Sequence, residues 1–163
     1  MGKRMKRAKQ NSHNSNNNDV IQLDVYRSRK SKVIIIPRNI HQEEYIEMLD
    51  NSKKNIVLDI GCGNGDFTNK VINKVDKIYC VDTSQEYVNI CKTRFSNNKN
   101  VTVLKLGNNY TDLSFIKDIN FSIIIANSVV QYYRSQNEII DLVKSVQKIS
   151  AENARFLISD IEI

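Results

Sequence analysis

The chain has no tryptophan, one proline, three cysteines and two histidines among its 163 residues. Cys62, Cys80 and Cys91 show no CxxC spacing, and His13 and His41 do not complete a ligand pattern with them. Neither a disulfide framework nor a metal site is expected, and reduced thiols point to a cytoplasmic protein. No apolar run exceeds four residues, and the run Val33 to Ile36 is stopped by Pro37. A membrane-spanning helix needs roughly 18 to 20, so none is expected. The opening MGKRMKR is basic but no apolar segment follows, which excludes a secretory signal pattern. Lys6 also stands where a myristoylation motif wants Ser or Thr. Forty per cent hydrophobic and 26% charged residues are ordinary for a globular protein, against wholesale disorder.

The charge is uneven. Residues 1–38 hold ten Lys/Arg against Asp19 and Asp24, a net +8, while the remaining residues hold fourteen basic and sixteen acidic side chains, a net −2. Residues 1–19, with the tract NSHNSNNN, cannot bury enough apolar surface to offset their ordering entropy and read as a disordered leader. Residues 20–39 read as further, loosely attached leader with room for one short strand, their apolar residues grouped in VIQLDV and VIIIP on either side of the basic RSRKSK. A basic arm of this kind, residues 1–38, can bind nucleic acid or anionic lipid. The plainer reading is a solvated tail.

From residue 40 the pattern becomes regular. Ile40, Tyr45, Ile46 and Leu49 lie along one side of a helical stretch that DNSKK interrupts. Short apolar strands are then expected at Ile56–Ile60, Ile78–Asp82, Val101–Leu106, Phe121–Ala126 and Phe156–Asp160. Amphipathic helices are expected between them, at Asp66–Val75, Gln85–Phe95 and Gln136–Ile149, the last with Ile139, Leu142, Val143 and Val146 at helical spacing. Thr83 with Glu86, and Ser135 with Glu138, have the spacing of capping boxes. The strands are continuous apolar runs, so both faces need covering. That predicts an α/β fold: a Rossmann-like parallel sheet of about five strands with helices on both faces.

The first of these strands runs directly into VLDIGCGNGDF. Gly61, Gly63 and Gly65 allow a tight turn and close approach of a ligand to backbone, and the next strand ends in Asp82, suited to hydrogen bonding a ribose diol. Asp59 and Asp66 flank the loop, where two carboxylates would repel a diphosphate. S-adenosylmethionine has an ammonium, a sulfonium and a ribose but no phosphate, so it fits this charge better than NAD. Cys62 reads as a small loop filler; Cys80 and Cys91 sit on apolar positions and read as core.

VLDIGCGNGDFTNKV resembles the first motif of the class I S-adenosylmethionine-dependent methyltransferases, and IYCVDTSQEYVNICKTRF resembles their second. FSIIIANSVVQYY is similar to the fourth-strand motif and FLISDI to the fifth strand. The resemblance covers about residues 40–163 and implies a methyltransferase domain there. It implies that Asp59 organises the loop and the ammonium site, that Gly61, Gly63 and Gly65 pack against the methionine part, and that Asp82 holds the ribose. Cys62, Thr83, Asn108 and Asn127 complete the implied cofactor set, with Asn108 where the family often has an acid for the adenine amino group. The acceptor-side candidates are Asn127, Gln131 and Tyr132 after the fourth strand, with His41 and Tyr45 in the preceding helix.

The segment NSVVQYY lacks the N/D-P-P-Y/F pattern of amino-methylating nucleic-acid enzymes, which favours a small-molecule or sugar-type acceptor. The alternatives are an RNA- or ribosome-associated methyltransferase that uses the basic leader, and a non-catalytic remnant of the fold acting as a binding module. The family domain continues past its fifth strand with a helix and a strand hairpin, which this sequence does not reach. The fifth strand is therefore expected to leave an edge, covered by self-association, by the VIIIP segment, or by missing chain.

Overall fold

The computed structural model describes residues 31–36 and 54–159. The strands are β1 (Ser31–Ile36), β2 (Ile56–Ile60), β3 (Lys77–Asp82), β4 (Val101–Lys105), β5 (Phe121–Asn127) and β6 (Ser150–Ser159). The helices are α1 (Asp66–Val71), α2 (Gln85–Arg94) and α3 (Gln136–Ile149), with short 3-10 turns at Ile72–Lys74 and Val130–Tyr132. Every strand pair is parallel, in the order β1-β6-β5-β2-β3-β4.

Alternate residues of each strand enter opposite cores. Leu58, Ile60, Ile124, Ala126, Phe156 and Ile158 pack with Leu142, Val143 and Val146 of α3. Val57, Ile123, Ile125 and Leu157 pack with Phe67 and Val71 of α1 and Cys91 of α2. Burying both sets accounts for the unbroken apolar runs: a strand covered on two faces has no solvent side. β2 pairs with β3 on one side and β5 on the other, so chain direction across the sheet reverses there. In an open parallel sheet the crevice for a ligand forms beyond the carboxyl ends at such a point.

The sheet departs from the expected one in its sixth strand. The VIIIP segment forms β1 and pairs in parallel with β6, from Ser31 opposite Ala154 to Ile36 opposite Ser159. Of the three ways the edge of β6 was expected to be covered, the structure shows the second, pairing with the chain's own Val33–Ile36 segment. β6 also begins at Ser150, well before Phe156, because the polar SAENAR stretch continues the ladder beside β5 with a register irregularity and a left-handed Asn153, φ 62°.

Two helix boundaries move as well. The first helix stops at Val71 and finishes as a 3-10 turn. The cap of α2 is Ser84, whose Oγ accepts from Tyr87 N at 3.4 Å, and not Thr83, because Asp82 Oδ1 already accepts the Ser84 N–H at 2.7 Å. The cap of α3 is as expected, with Ser135 Oγ accepting from Glu138 N. Residues 1–19 and the helical stretch holding Ile40, His41 and Tyr45 lie outside the described residues.

Candidate functional site

The loop after β2 is held from beneath. Gly61 N and Cys62 N both donate to Val81 O, at 2.7 and 3.1 Å, tying the loop to the end of β3. Gly61, Gly63 and Gly65 take φ values of 69°, 54° and 83°, the left-handed region that disfavours any side chain. Asp82 receives Gly63 N at 2.9 Å on one carboxylate oxygen and Ser84 N at 2.7 Å on the other. These two backbone donors fix the carboxylate at the end of β3, facing the glycine loop.

Asp59 has a different position. It is 2% exposed, on the α1 side of β2, and its Oδ2 accepts from the Thr68 hydroxyl at 2.9 Å. Burial pushes its carboxyl up to about 7, the Thr68 hydrogen bond opposes that, and the Asp82 charge adds to it. Cys62 and Cys91 lie in the same core, their sulfurs 3.9 Å apart, and a Cβ on Gly65 would meet the Phe95 ring at 2.6 Å. Asp59, Cys62 and Gly65 thus shape the loop from its packed side. Burial also raises the Cys91 thiol to about 11, consistent with a packing role for it.

Above the loop lies a cleft lined by Ile60, Gly61, Thr83, Leu106, Tyr110, Val129, Tyr132 and Tyr133. Val129 reaches Gly61 because Ser128, the residue after β5, takes a left-handed φ of 56°. Asn127, at the end of β5, has its Oδ1 fixed by the Ser159 hydroxyl. Gln131 is exposed and donates to Ser128 O at 3.1 Å. Asn108 is exposed beyond β4. His41, the remaining candidate, lies outside the described residues.

Five cleft residues carry no signal in the sequence. Ile60, Leu106 and Val129 look like ordinary apolar positions. Tyr110 and Tyr133 meet only in the fold, their rings stacked with centroids 5.0 Å apart and planes at 30°. The neighbouring Glu138 carboxylate raises the Tyr110 phenol, while the Arg134 backbone N–H and then Tyr110 lower the acid. Tyr133 has its hydroxyl buried with no hydrogen-bond partner among the described residues, and burial raises it further above the ordinary phenol range.

Neither an acidic nor a basic side chain is among the residues lining the cleft, and the Asp82 carboxylate is fixed one residue before Thr83, which does line it. No group of His, Cys, Asp and Glu among the described residues could hold a metal ion, and no helix there is long and apolar enough to cross a membrane. The family model described as a methyltransferase domain matches residues 57–153, more than half of the chain. The chain belongs to the methyltransferase-domain family.

Its fold is shared with a solved S-adenosylmethionine-dependent methyltransferase. The ribosomal RNA small subunit methyltransferase A of Mycoplasma capricolum is 30% identical over 60 residues, which is 37% of this chain and 22% of that protein. The solved structure of YcgJ from Bacillus subtilis superposes with a TM-score of 0.61 at 23% identity, covering 72% of this chain and 48% of that one. An S-adenosylmethionine-dependent methyltransferase from Clostridium acetobutylicum superposes with a TM-score of 0.59 at 17% identity, covering 74% of this chain and 50% of its own. At these identities the two structures show the shared fold. The methyltransferase domain described here spans about half the length of these solved neighbours and less than a quarter of the curated relative.

Proposed function

We propose that the protein transfers a methyl group from S-adenosylmethionine to an acceptor held at the mouth of the tyrosine-lined cleft. The observation that carries the reading is the Asp82 carboxylate, fixed by Gly63 N and Ser84 N beside a glycine loop at the reversal point of the sheet. Asp82 holds the ribose diol through charge-assisted hydrogen bonds, each about 1.5 to 3 kcal/mol. Gly61 and Gly63 let the methionine part lie against backbone, and Thr83, Leu106 and Asn108 flank the adenine. Asp59 and Thr68 support the loop from below, and a cationic ligand end above it favours the ionised form of Asp59.

When bound, the cofactor supplies an electrophilic methyl on a sulfonium. The acceptor lone pair forms the new bond to that carbon as the carbon–sulfur bond breaks, its electron pair leaving on sulfur. The acceptor's proton passes to water. Holding the two partners in line is worth roughly 7 to 11 kcal/mol, so no catalytic dyad is required. Asn127, at the end of β5, and Gln131 and Tyr132, on the turn after it, stand on the acceptor side. A small-molecule or sugar-type acceptor is the first reading, since NSVVQYY lacks the N/D-P-P-Y/F pattern.

A second reading rests on the ribosomal RNA methyltransferase relative and on the +8 charge of residues 1–38, which would supply affinity for RNA. Screening methyl release from labelled S-adenosylmethionine against small-molecule and RNA acceptors tests both. RNA binding that falls steeply with salt supports the second. Cofactor binding without turnover on any acceptor supports a binding module instead.

A further inference from the structure

The mouth of the cleft carries a feature that donor binding does not use. Tyr132 is 76% exposed, more than any other large apolar side chain among the described residues. It sits on the 3-10 turn Val130–Tyr132, where Tyr132 N donates to Val129 O at 3.0 Å and Tyr133 N to Val130 O at 3.1 Å. Left-handed Ser128 sets the direction of that turn, and backbone of this kind gathers at ligand sites. The turn thus presents an exposed ring in the cleft. The stacked pair Tyr110–Tyr133 lines the same cleft.

We propose that Tyr132 is a stacking platform and that the methyl acceptor is a planar, unsaturated ring carrying its nucleophile at the edge. The inference rests on the methyl-donor reading and names the acceptor class for it. A flat exposed face is covered most completely by another flat face in offset stacking, whereas a polyol leaves most of it wet. Stacking of a base on an aromatic side chain is tolerant of ring identity, so a heteroaromatic metabolite and a nucleobase in a single strand share this chemistry.

The test uses the full chain saturated with S-adenosylhomocysteine, so that the donor's own adenosine site is filled. The probes are quinoline, cytidine and single-stranded oligocytidine, with 1,4-butanediol and glycerol as neutral non-planar controls. Binding is read by ligand-observed NMR, and the donor product by calorimetry. Quinoline and cytidine are expected to bind at least tenfold more tightly than the controls. Tyr132→Ala is expected to weaken them about tenfold and Tyr132→Phe by less than twofold.

Oligocytidine binding well above cytidine, with a steep salt dependence, assigns the ring to nucleic acid; equal binding assigns it to a small molecule. Controls that match the planar probes, or planar probes that bind Tyr132→Ala unchanged while S-adenosylhomocysteine still binds, overturn this inference alone. Failure of S-adenosylhomocysteine to bind overturns the donor reading and this one with it.

Discussion

Val129 closes on Gly61 from across the junction of β2 and β5, its Cγ2 standing where a Cβ on Gly61 would have to go. Gly63, two residues on, has nothing within 4 Å of the same position. Both have left-handed φ, which costs a residue with a side chain about 1 to 2 kcal/mol. Gly63→Ala should therefore lose about that much stability, and Gly61→Ala more, because Val129 must also move. Chemical denaturation of the two variants gives the order, and equal losses would show that the Val129 contact yields freely.

Asp59 makes stability depend on pH with a distinctive sign. Its folded carboxyl is held at about 7 against the ordinary 3.8, so the folded chain binds that proton more tightly than the unfolded one. The contribution is complete below about pH 4 and is lost as pH rises through 7, with a slope of up to about 1.4 kcal/mol per unit. Asp66, Asp112 and Glu138 are lowered and act with the opposite sign, losing stability only as pH falls into the acid range. Cofactor-free protein should therefore weaken in urea between pH 5 and 7.5, and Asp59→Asn should flatten that trend. The same slope in Asp59→Asn would assign it elsewhere.

Tyr133→Phe removes a buried hydroxyl that has no partner among the described residues. An unpaired buried group of this kind costs about 1 to 3 kcal/mol, so the variant should be stabilised by about 1 kcal/mol. That is about 2 to 4 °C in melting temperature for a chain of this size. A lower melting temperature would show that the hydroxyl is bonded in solution.

Most of the sheet was legible because burial on two faces leaves its mark in the strands themselves. IVLDI, IYCVD and FSIIIAN are apolar on both faces apart from Asp59, Asp82, Ser122 and Asn127, and α3 shows its core side at Leu142, Val143 and Val146. The start of β6 was not legible, because SAENAR is polar and joins the ladder only through its neighbours. The place of β1 was legible only as one of three ways to cover the fifth-strand edge, since local pattern cannot choose among partners for an edge. The cap of α2 moved to Ser84 because Asp82 captures that amide, a competition that spacing alone cannot weigh. In the site, the glycines and Asp82 follow from local chemistry. The Tyr110–Tyr133 pair is a tertiary contact between residues far apart in sequence, and only the fold brings it together.

Pairing of β1 with β6 gives the leader a structural job at its carboxyl end. Deleting residues 1–36 should bare the β6 edge from Ala154 to Ser159 and lead to association or aggregation. Deleting residues 1–19 alone keeps β1 and should leave the melting temperature unchanged. Sedimentation of both truncations decides it; a monomeric, stable protein lacking residues 1–36 would show that β1 is dispensable.

Calorimetric titration with S-adenosylmethionine, for the unaltered chain and Asp82→Ala, tests the central claim most directly. The unaltered chain should bind it more tightly than NAD, and Asp82→Ala should weaken binding at least tenfold, since charge-assisted hydrogen bonds of about 1.5 to 3 kcal/mol each are lost. Equal affinity in Asp82→Ala, or tighter binding of NAD, would contradict the assignment of this cleft.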